Sequence, residues 1–244
     1  MDSTRAPAGS PDAQISPGKS IAYWSSHPPT VNSMLGGYPQ ISRTDLRGSA
    51  AFWAKLLRQH PPSAPSPMIS VDCGAGIGRV TAGFLSDISS IVDVVEPVES
   101  FAKETGKQKL EGQGTIGEVF VKGIEDWTPE MGKYDLIWNQ WCTLYLTDKH
   151  LVDYLKRCRD AIKRPDGWII VKENTTKDIR DGHDGKDVYD EDDSSVTRTN
   201  EKLLDIFRDA GLTIVANEIQ KGFPKGLGLY PVRMYALRPE ANKK

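Results

Sequence analysis

The chain has 244 residues, 38% of them hydrophobic and 26% charged, enough to bury the core of one α/β domain with decoration and too apolar for a disordered chain. Its 31 Lys and Arg against 33 Asp and Glu leave a formal net charge of −2, which gives no global field for gripping nucleic acid or an anionic membrane. No apolar run approaches the ~20 residues that span a bilayer. The three cysteines, Cys73, Cys142 and Cys158, lack a CxxC spacing, which points to reduced thiols in the cytoplasm, with the nucleus as a second compartment, and away from a zinc site.

Residues 1–20 are rich in Ser, Pro, Ala and Gly and have no apolar core, so they read as a disordered tail and not as a secretory signal. Residues 21–240 form a single domain. The stretch from Tyr23 to Tyr38 is aromatic, punctuated by Pro and closed by Gly36-Gly37, and is expected to pack on the rest. Thr44 is expected to cap a helix reaching Arg58, with Phe52, Leu56 and Leu57 on one face.

From Met68 the pattern becomes strand–helix–strand. Strands are predicted at 68–72, 90–95, 117–122, 134–138 and 168–172. Helices are predicted after the glycine cluster to Leu85, over 98–110, and from Thr147-Asp148 through Cys158. Residues 175–195 carry seven Asp and one Glu and read as a polar loop. A helix over 200–210, stopped by Gly211, precedes two final strands, 212–220 and 231–237. Alternating strands and helices imply a doubly wound, mostly parallel sheet, and two final strands joined only by a loop must be antiparallel.

Asp72-Cys-Gly74-Ala-Gly76-Ile-Gly78-Arg79 follows a predicted strand and opens a helix, the context in which glycines let backbone approach a nucleotide. The spacing is GxGxG, not the GxGxxG of dinucleotide sites, and no P-loop Lys follows. Glu96 ends the next strand, near the ~20-residue offset of a ribose-binding carboxylate. An adenosine-containing ligand without a pyrophosphate fits, and S-adenosylmethionine is such a molecule. Arg79 in the first helical turn is placed to pair with its carboxylate. Trp138 reads as core, and Trp141, past the strand end, as a candidate site residue. No metal site is expected.

The chain resembles the protein α-N-terminal methyltransferases, in the form expected of a fungal member, which modify X-Pro-Lys/Arg amino termini. The resemblance rests on Tyr23-Trp24, PPTV at 28–31, MLGGY at 34–38, DCGAGIGR at 72–79 and YDLIWNQW at 134–141. It continues through LTDKHL at 146–151, RPDG and VKEN within 164–174, DSSVTR at 193–198 and the terminal YALRP, covering about 22–239. It implies a class I methyltransferase fold with a seven-stranded sheet, a C-terminal antiparallel pair and an N-terminal helical lid over 21–60 that helps bind the peptide. It implies that Gly74, Arg79, Glu96, Pro97, Val98, Ile124, Glu125 and Gln140 contact S-adenosylmethionine, with Gly76 in the same loop. Trp24, Leu35, Gly36, Tyr38, Trp141, Asp190, Ser195 and Tyr230 would line the peptide channel, and Asn174 and Asp193 would handle the reacting amine. Animal members carry a His, as proposed proton acceptor, at the position of Tyr145. A phenol with a reference pKa of about 10 is a weak base at neutral pH, so Tyr145 is expected to orient or pack. Nucleic-acid and membrane partners are not expected, and the chain is expected to be a monomer. The rival readings are a small-molecule N- or O-methyltransferase, which needs no acidic channel, and a non-catalytic module of the same fold.

Overall fold

The computed structural model describes residues 9–63, 67–107, 110, 112, 114–163, 165–177 and 185–240. The sheet is built from β1 (Ile69–Cys73), β2 (Ile91–Val95), β3 (Thr115–Phe120), β4 (Leu136–Gln140) and β5 (Trp168–Asn174), together with β8 (Leu212–Ile219) and β9 (Val232–Pro239). The short strands β6 (Val188–Asp190) and β7 (Ser195–Thr197) pair separately. The seven-stranded order is β3-β2-β1-β4-β5-β9-β8. All neighbours are parallel except β9, which runs antiparallel to both β5 and β8. The order reverses between β1 and β4, and the carboxyl ends of strands at such a switch point are where open α/β sheets bind ligands.

Alternation along the strands explains why both faces are covered. Ile137 of β4 and Ile169 and Val171 of β5 point to one side, where they pack with Leu151, Tyr154 and Leu155 of α6 (Asp148–Ala161) and Leu203 and Phe207 of α7 (Asn200–Asp209). Leu136, Trp138, Trp168 and Ile170 point to the other, against Phe52, Trp53 and Leu56 of α3 (Ser42–Gln59) and Phe84 and Leu85. Thr147 and Thr199 cap α6 and α7 through their side-chain oxygens, and Gly211 ends α7 at φ 71°. The helix after the glycine loop runs through a π-helical turn, Thr81–Leu85, into α4 (Ser86–Ile88), and α5 is Glu99–Gly106.

Several boundaries differ from the sequence reading: α5 stops at Gly106 and not at 110, α6 runs on to Ala161, and β5 to Asn174. The third strand lies two residues earlier than predicted, because Thr115 is already in register with Ile91. The fourth lies two residues later: the ladder to β1 begins at Leu136, whereas Tyr134 bridges Ile162. Thr44 is not a cap; α3 starts at Ser42, continuing a 3-10 turn over Pro39–Ile41. The polar loop expected over 175–195 contains the β6–β7 hairpin, although Asp181, Asp184 and the rest of 178–184 lie outside the described residues.

The largest correction concerns the tail. Residues 1–8 lie outside the described residues, but Pro11–Gln14 is a 3-10 turn and α1 spans Pro17–Ser25. Each begins with Pro in its first turn, where the missing N–H costs nothing. Composition misled because Ser16, through its N–H, and Ser20, through its hydroxyl, hydrogen-bond to Ser194, far along the chain, as shown below. After α1, Thr30 caps the single turn α2 (Val31–Met34), and Gly36 and Gly37, both at positive φ, turn the chain into Tyr38.

Candidate active site

A cavity of about 500 Å³ opens at the carboxyl ends of the parallel strands, within the size range of small-ligand sites. Gly74, Gly76 and Gly78 have φ of 67°, 58° and 79°, a region that side chains disfavour. A Cβ on Gly74 would also lie 2.3 Å from that of Cys142. Glu96 sits beneath this loop, 5% exposed. Its Oε2 accepts the Gly76 N–H and its Oε1 the Val98 N–H, each at 2.8 Å. Each oxygen keeps a lone pair for a ligand hydroxyl. Burial pushes the Glu96 carboxyl up to about 7 against the pull of those two N–H groups. Asp72 accepts the Thr81 hydroxyl at 2.6 Å and is pushed by burial to about 6.

A buried charge cluster backs the same wall. Asp45, fully buried on α3, pairs through Oδ1 with Lys172 Nζ at 2.5 Å and through Oδ2 with Arg79 at 2.7 Å, and accepts Gln140 Nε2 at 2.8 Å. Lys172 also donates to the Asp45 carbonyl and the Ser49 hydroxyl. Burial opposes the charge on both partners. It drives the Lys172 ammonium down to about 8, whereas Lys172 and Arg79 outweigh it at Asp45 and hold that carboxyl below its usual range. Lys172 and Arg79 share Asp45, Arg79 also feels the Asp72 carboxyl, and Arg79 borders the cavity where a ligand carboxylate can reach it. Arg79 also lies 5.6 Å from the Trp141 ring centroid. Asp45 and Lys172 were missed in the sequence, because a single Asp or Lys in a helix or strand gives no sign that it is buried.

The opposite end is acidic and aromatic. Asp193 accepts the Tyr145 hydroxyl at Oδ2 (3.0 Å) and the Ser195 N–H at Oδ1 (3.1 Å). The Tyr145 oxygen in turn accepts Trp24 Nε1 at 2.9 Å. Burial raises the Asp193 carboxyl, tempered by the Ser195 and Tyr145 bonds. Burial and the Asp193 charge push the Tyr145 phenol well above its ordinary value, so it is a proton donor here. Trp141, at φ 53°, donates Nε1 to Asn174 Oδ1 at 3.1 Å. Behind Asn174, Glu173 is 3% exposed and accepts the N–H and hydroxyl of Thr143. Burial pushes it up to about 7.

Every site residue expected from the sequence borders this one cavity: the cradle with Pro97, Val98, Ile124, Glu125 and Gln140, the channel residues Leu35, Gly36, Tyr38, Asp190, Ser195 and Tyr230, and the Trp24, Trp141, Tyr145, Asn174 and Asp193 group. Arg79 and Gln140 do so with their polar ends shared with Asp45. The sequence reading missed Pro17, Ser20 and Ile21, assigned to the tail or left without a role, and Phe223, Leu227 and Leu229 of the β8–β9 loop.

Residues 12–238 match the family model described as "AdoMet dependent proline di-methyltransferase". The chain belongs to that family. It is 43% identical to "Alpha N-terminal protein methyltransferase 1" of Schizosaccharomyces pombe over 224 residues, 91% of this chain and 95% of that protein. It is 38% identical to "N-terminal Xaa-Pro-Lys N-methyltransferase 1" of Xenopus tropicalis, covering 90% of this chain and 94% of the relative. A solved SAM-dependent methyltransferase of Leishmania major superposes with a TM-score of 0.78 at 32% identity, over 91% of this chain and 82% of that one. The fold is therefore the class I methyltransferase fold, and the cofactor of this methyltransferase is S-adenosylmethionine. The family match begins at residue 12, ten residues before the resemblance read from the sequence, in agreement with the ordered segment at 11–25.

Proposed function

We propose that this methyltransferase acts on the α-amino group of proteins whose processed amino terminus reads X-Pro-Lys or X-Pro-Arg. The observation that carries the reading is Asp193. It is a half-buried carboxylate, held by two hydrogen bonds, in the cavity that also contains the glycine cradle and Glu96. When bound, S-adenosylmethionine supplies a methyl group on a sulfonium sulfur, which leaves as a neutral thioether as the amine nitrogen bonds the methyl carbon.

The chain's own residues have three tasks. Glu96 holds the ribose hydroxyls, and Arg79, which shares Asp45 with Lys172, holds the cofactor's carboxylate. Asn174 orients the amine through its Oδ1, which Trp141 leaves one lone pair. Asp193 attracts the ammonium form and takes its proton; an α-amine has a reference pKa of about 7.7–8.0, so a modest acceptor suffices. Tyr145 steadies that carboxylate by donating to it. The Trp24 and Trp141 rings offer flat apolar faces for the second-position proline, and Asp190, exposed at the rim, faces the third-position cation. This acidic wall supports a peptide over an apolar metabolite. The three described cysteines are buried and unpaired, which supports a reducing compartment, and we place the protein in the cytoplasm and nucleus.

Mass spectrometry of an X-Pro-Lys peptide incubated with protein and S-adenosylmethionine tests the reading. Methyl groups on the α-nitrogen are expected, with much less transfer to an X-Pro-Gln peptide. Transfer to a small amine or hydroxyl metabolite and none to the peptide would overturn it.

A further inference from the structure

The β6–β7 hairpin that carries Asp193 has three residues per strand and stands apart from the main sheet. A lone two-stranded hairpin is marginally stable, so something else must hold it. Its turn also contains Ser194 at φ 59°, fully buried. A non-glycine residue there is strained and persists only when its surroundings over-determine it.

Residues 10–20 supply those surroundings. The Ser16 N–H donates to Ser194 Oγ at 2.9 Å, and the Ser20 hydroxyl reaches the Ser194 carbonyl at 3.4 Å. Tyr189 shares a hydrogen bond with the same Ser194 hydroxyl at 3.2 Å. The left-handed backbone at Ser194 is what turns the Ser195 N–H back onto Asp193 Oδ1. A second anchor lies at Asp12, 5% exposed: Oδ1 accepts the Ser10 hydroxyl at 2.7 Å and Oδ2 the N–H of Asp148, the first residue of α6. Asp148 pairs with Arg198, whose guanidinium donates to the carbonyls of Thr143 and Leu146 on either side of Tyr145. The segment then continues as α1 to Trp24, which donates to Tyr145. Both partners of the Asp193 carboxylate are therefore placed by residues 10–24.

We propose that residues 10–20 are a positioning strap. They lock Ser194 in its left-handed conformation and thereby hold Asp193 where it can take the amine proton, an inference that rests on the role given to Asp193 above. Small displacements of a reacting group cost large factors in rate, so the strap acts on turnover and not on cofactor affinity.

The test uses the full chain, a chain lacking 1–8, a chain lacking 1–16, Ser194→Ala and Asp193→Asn. Each is assayed with X-Pro-Lys peptide at saturating S-adenosylmethionine, alongside cofactor Kd by calorimetry and melting temperature. Removing 1–16 should lower kcat by about tenfold or more at saturating peptide, with cofactor Kd changed less than about twofold. Ser194→Ala should lower kcat by roughly three- to tenfold and covers the case in which the truncated chain does not fold. Removing 1–8, which leaves Ser10 in place, should keep kcat within about twofold. In the Asp193→Asn background, Ser194→Ala should cost less than about twofold further, because coupled residues are not additive. The strap is overturned if Ser194→Ala and the folded 1–16 deletion keep the full kcat, or if the Ser194→Ala penalty persists undiminished in Asp193→Asn. Full activity of Asp193→Asn itself would overturn the role of Asp193 and the strap together.

Discussion

Replacing Asp193 by Asn keeps the size of the side chain and removes its charge. Its oxygen can still accept the Ser195 N–H. Single-turnover methyl transfer should fall by about 10²–10⁴, the range for loss of a general base. Part of the loss should return as pH rises past about 8, where the free amine is already neutral. Wild-type rates at saturating peptide would reduce Asp193 to a substrate clamp. Tyr145→Phe separates relay from support: the phenol donates to Asp193 and accepts from Trp24, and its raised pKa keeps it protonated. A loss below about tenfold in rate, roughly 1.4 kcal/mol or less, is expected. A hundredfold loss in a folded variant that still binds peptide would show that the hydroxyl carries the proton. Asp193 was legible because it opens the DSSVTR motif, and Tyr145 because it stands where animal members of the family carry a His. The pairing of Tyr145 with both Trp24 and Asp193 was not, because the three are separated by 121 and 48 residues.

At the scale of elements, Asp45 ties α3 to β5 and to the helix that follows the glycine loop. Removing one partner of a buried ion cluster typically costs about 3–5 kcal/mol, because it leaves charge without compensation. Asp45→Ala, which strands both Lys172 and Arg79, should lose that much in denaturant unfolding without ligand. Saturating S-adenosylmethionine should narrow the deficit by bringing a carboxylate to the same wall. Lys172→Met, which leaves the Arg79–Asp45 pair intact, should cost less. Equal losses in the two variants, with no effect of ligand, would rule out the charge balance described here. The start of α6 and both ends of α7 match the sequence reading to within a residue, and α6 runs three residues past Cys158, since caps and periodicity are local signals. The hairpin β6–β7 and the segment 11–20 were misread because their partners are distant in sequence and their compositions are polar.

For the whole molecule, three buried acids set a pH dependence. Asp72 is raised to about 6, and Glu96 and Glu173 to about 7, all by burial. Between their unfolded values near 4 and these folded ones the native state binds more protons than the unfolded chain, so stability falls as pH rises through that window. Asp45 and Asp148, both lowered by nearby cations that outweigh burial, act in the opposite sense, and their contribution is lost only as pH falls below about 4. The melting temperature of the ligand-free protein should therefore drop by several degrees from pH 5 to 7, since about 1 kcal/mol moves it by ~2–4 °C at this size. That window lies below the range in which the buried Lys172, lowered to about 8, releases its proton and acts in the opposite sense. Asp72→Asn should flatten part of the slope. A melting temperature that is level or rises across the same range would show that these carboxyls are not desolvated in solution.

The sequence alone determined the doubly wound sheet, its antiparallel end and the cofactor loop, because strand alternation, helix caps and a glycine–glycine–carboxylate spacing are written within about thirty residues of each other. Only the tertiary structure decided which polar residues are buried and whom they meet. Lys172, between Val171 and Glu173 in β5, is a core cation solely because α3 brings Asp45 to it. The serines at 10, 16 and 20 are ordered because the Asp193–Ser195 turn and the start of α6 offer partners for their segment. Hydrogen bonds and ion pairs between side chains far apart in sequence carry no periodicity along the chain, so their partners emerge only when the fold closes.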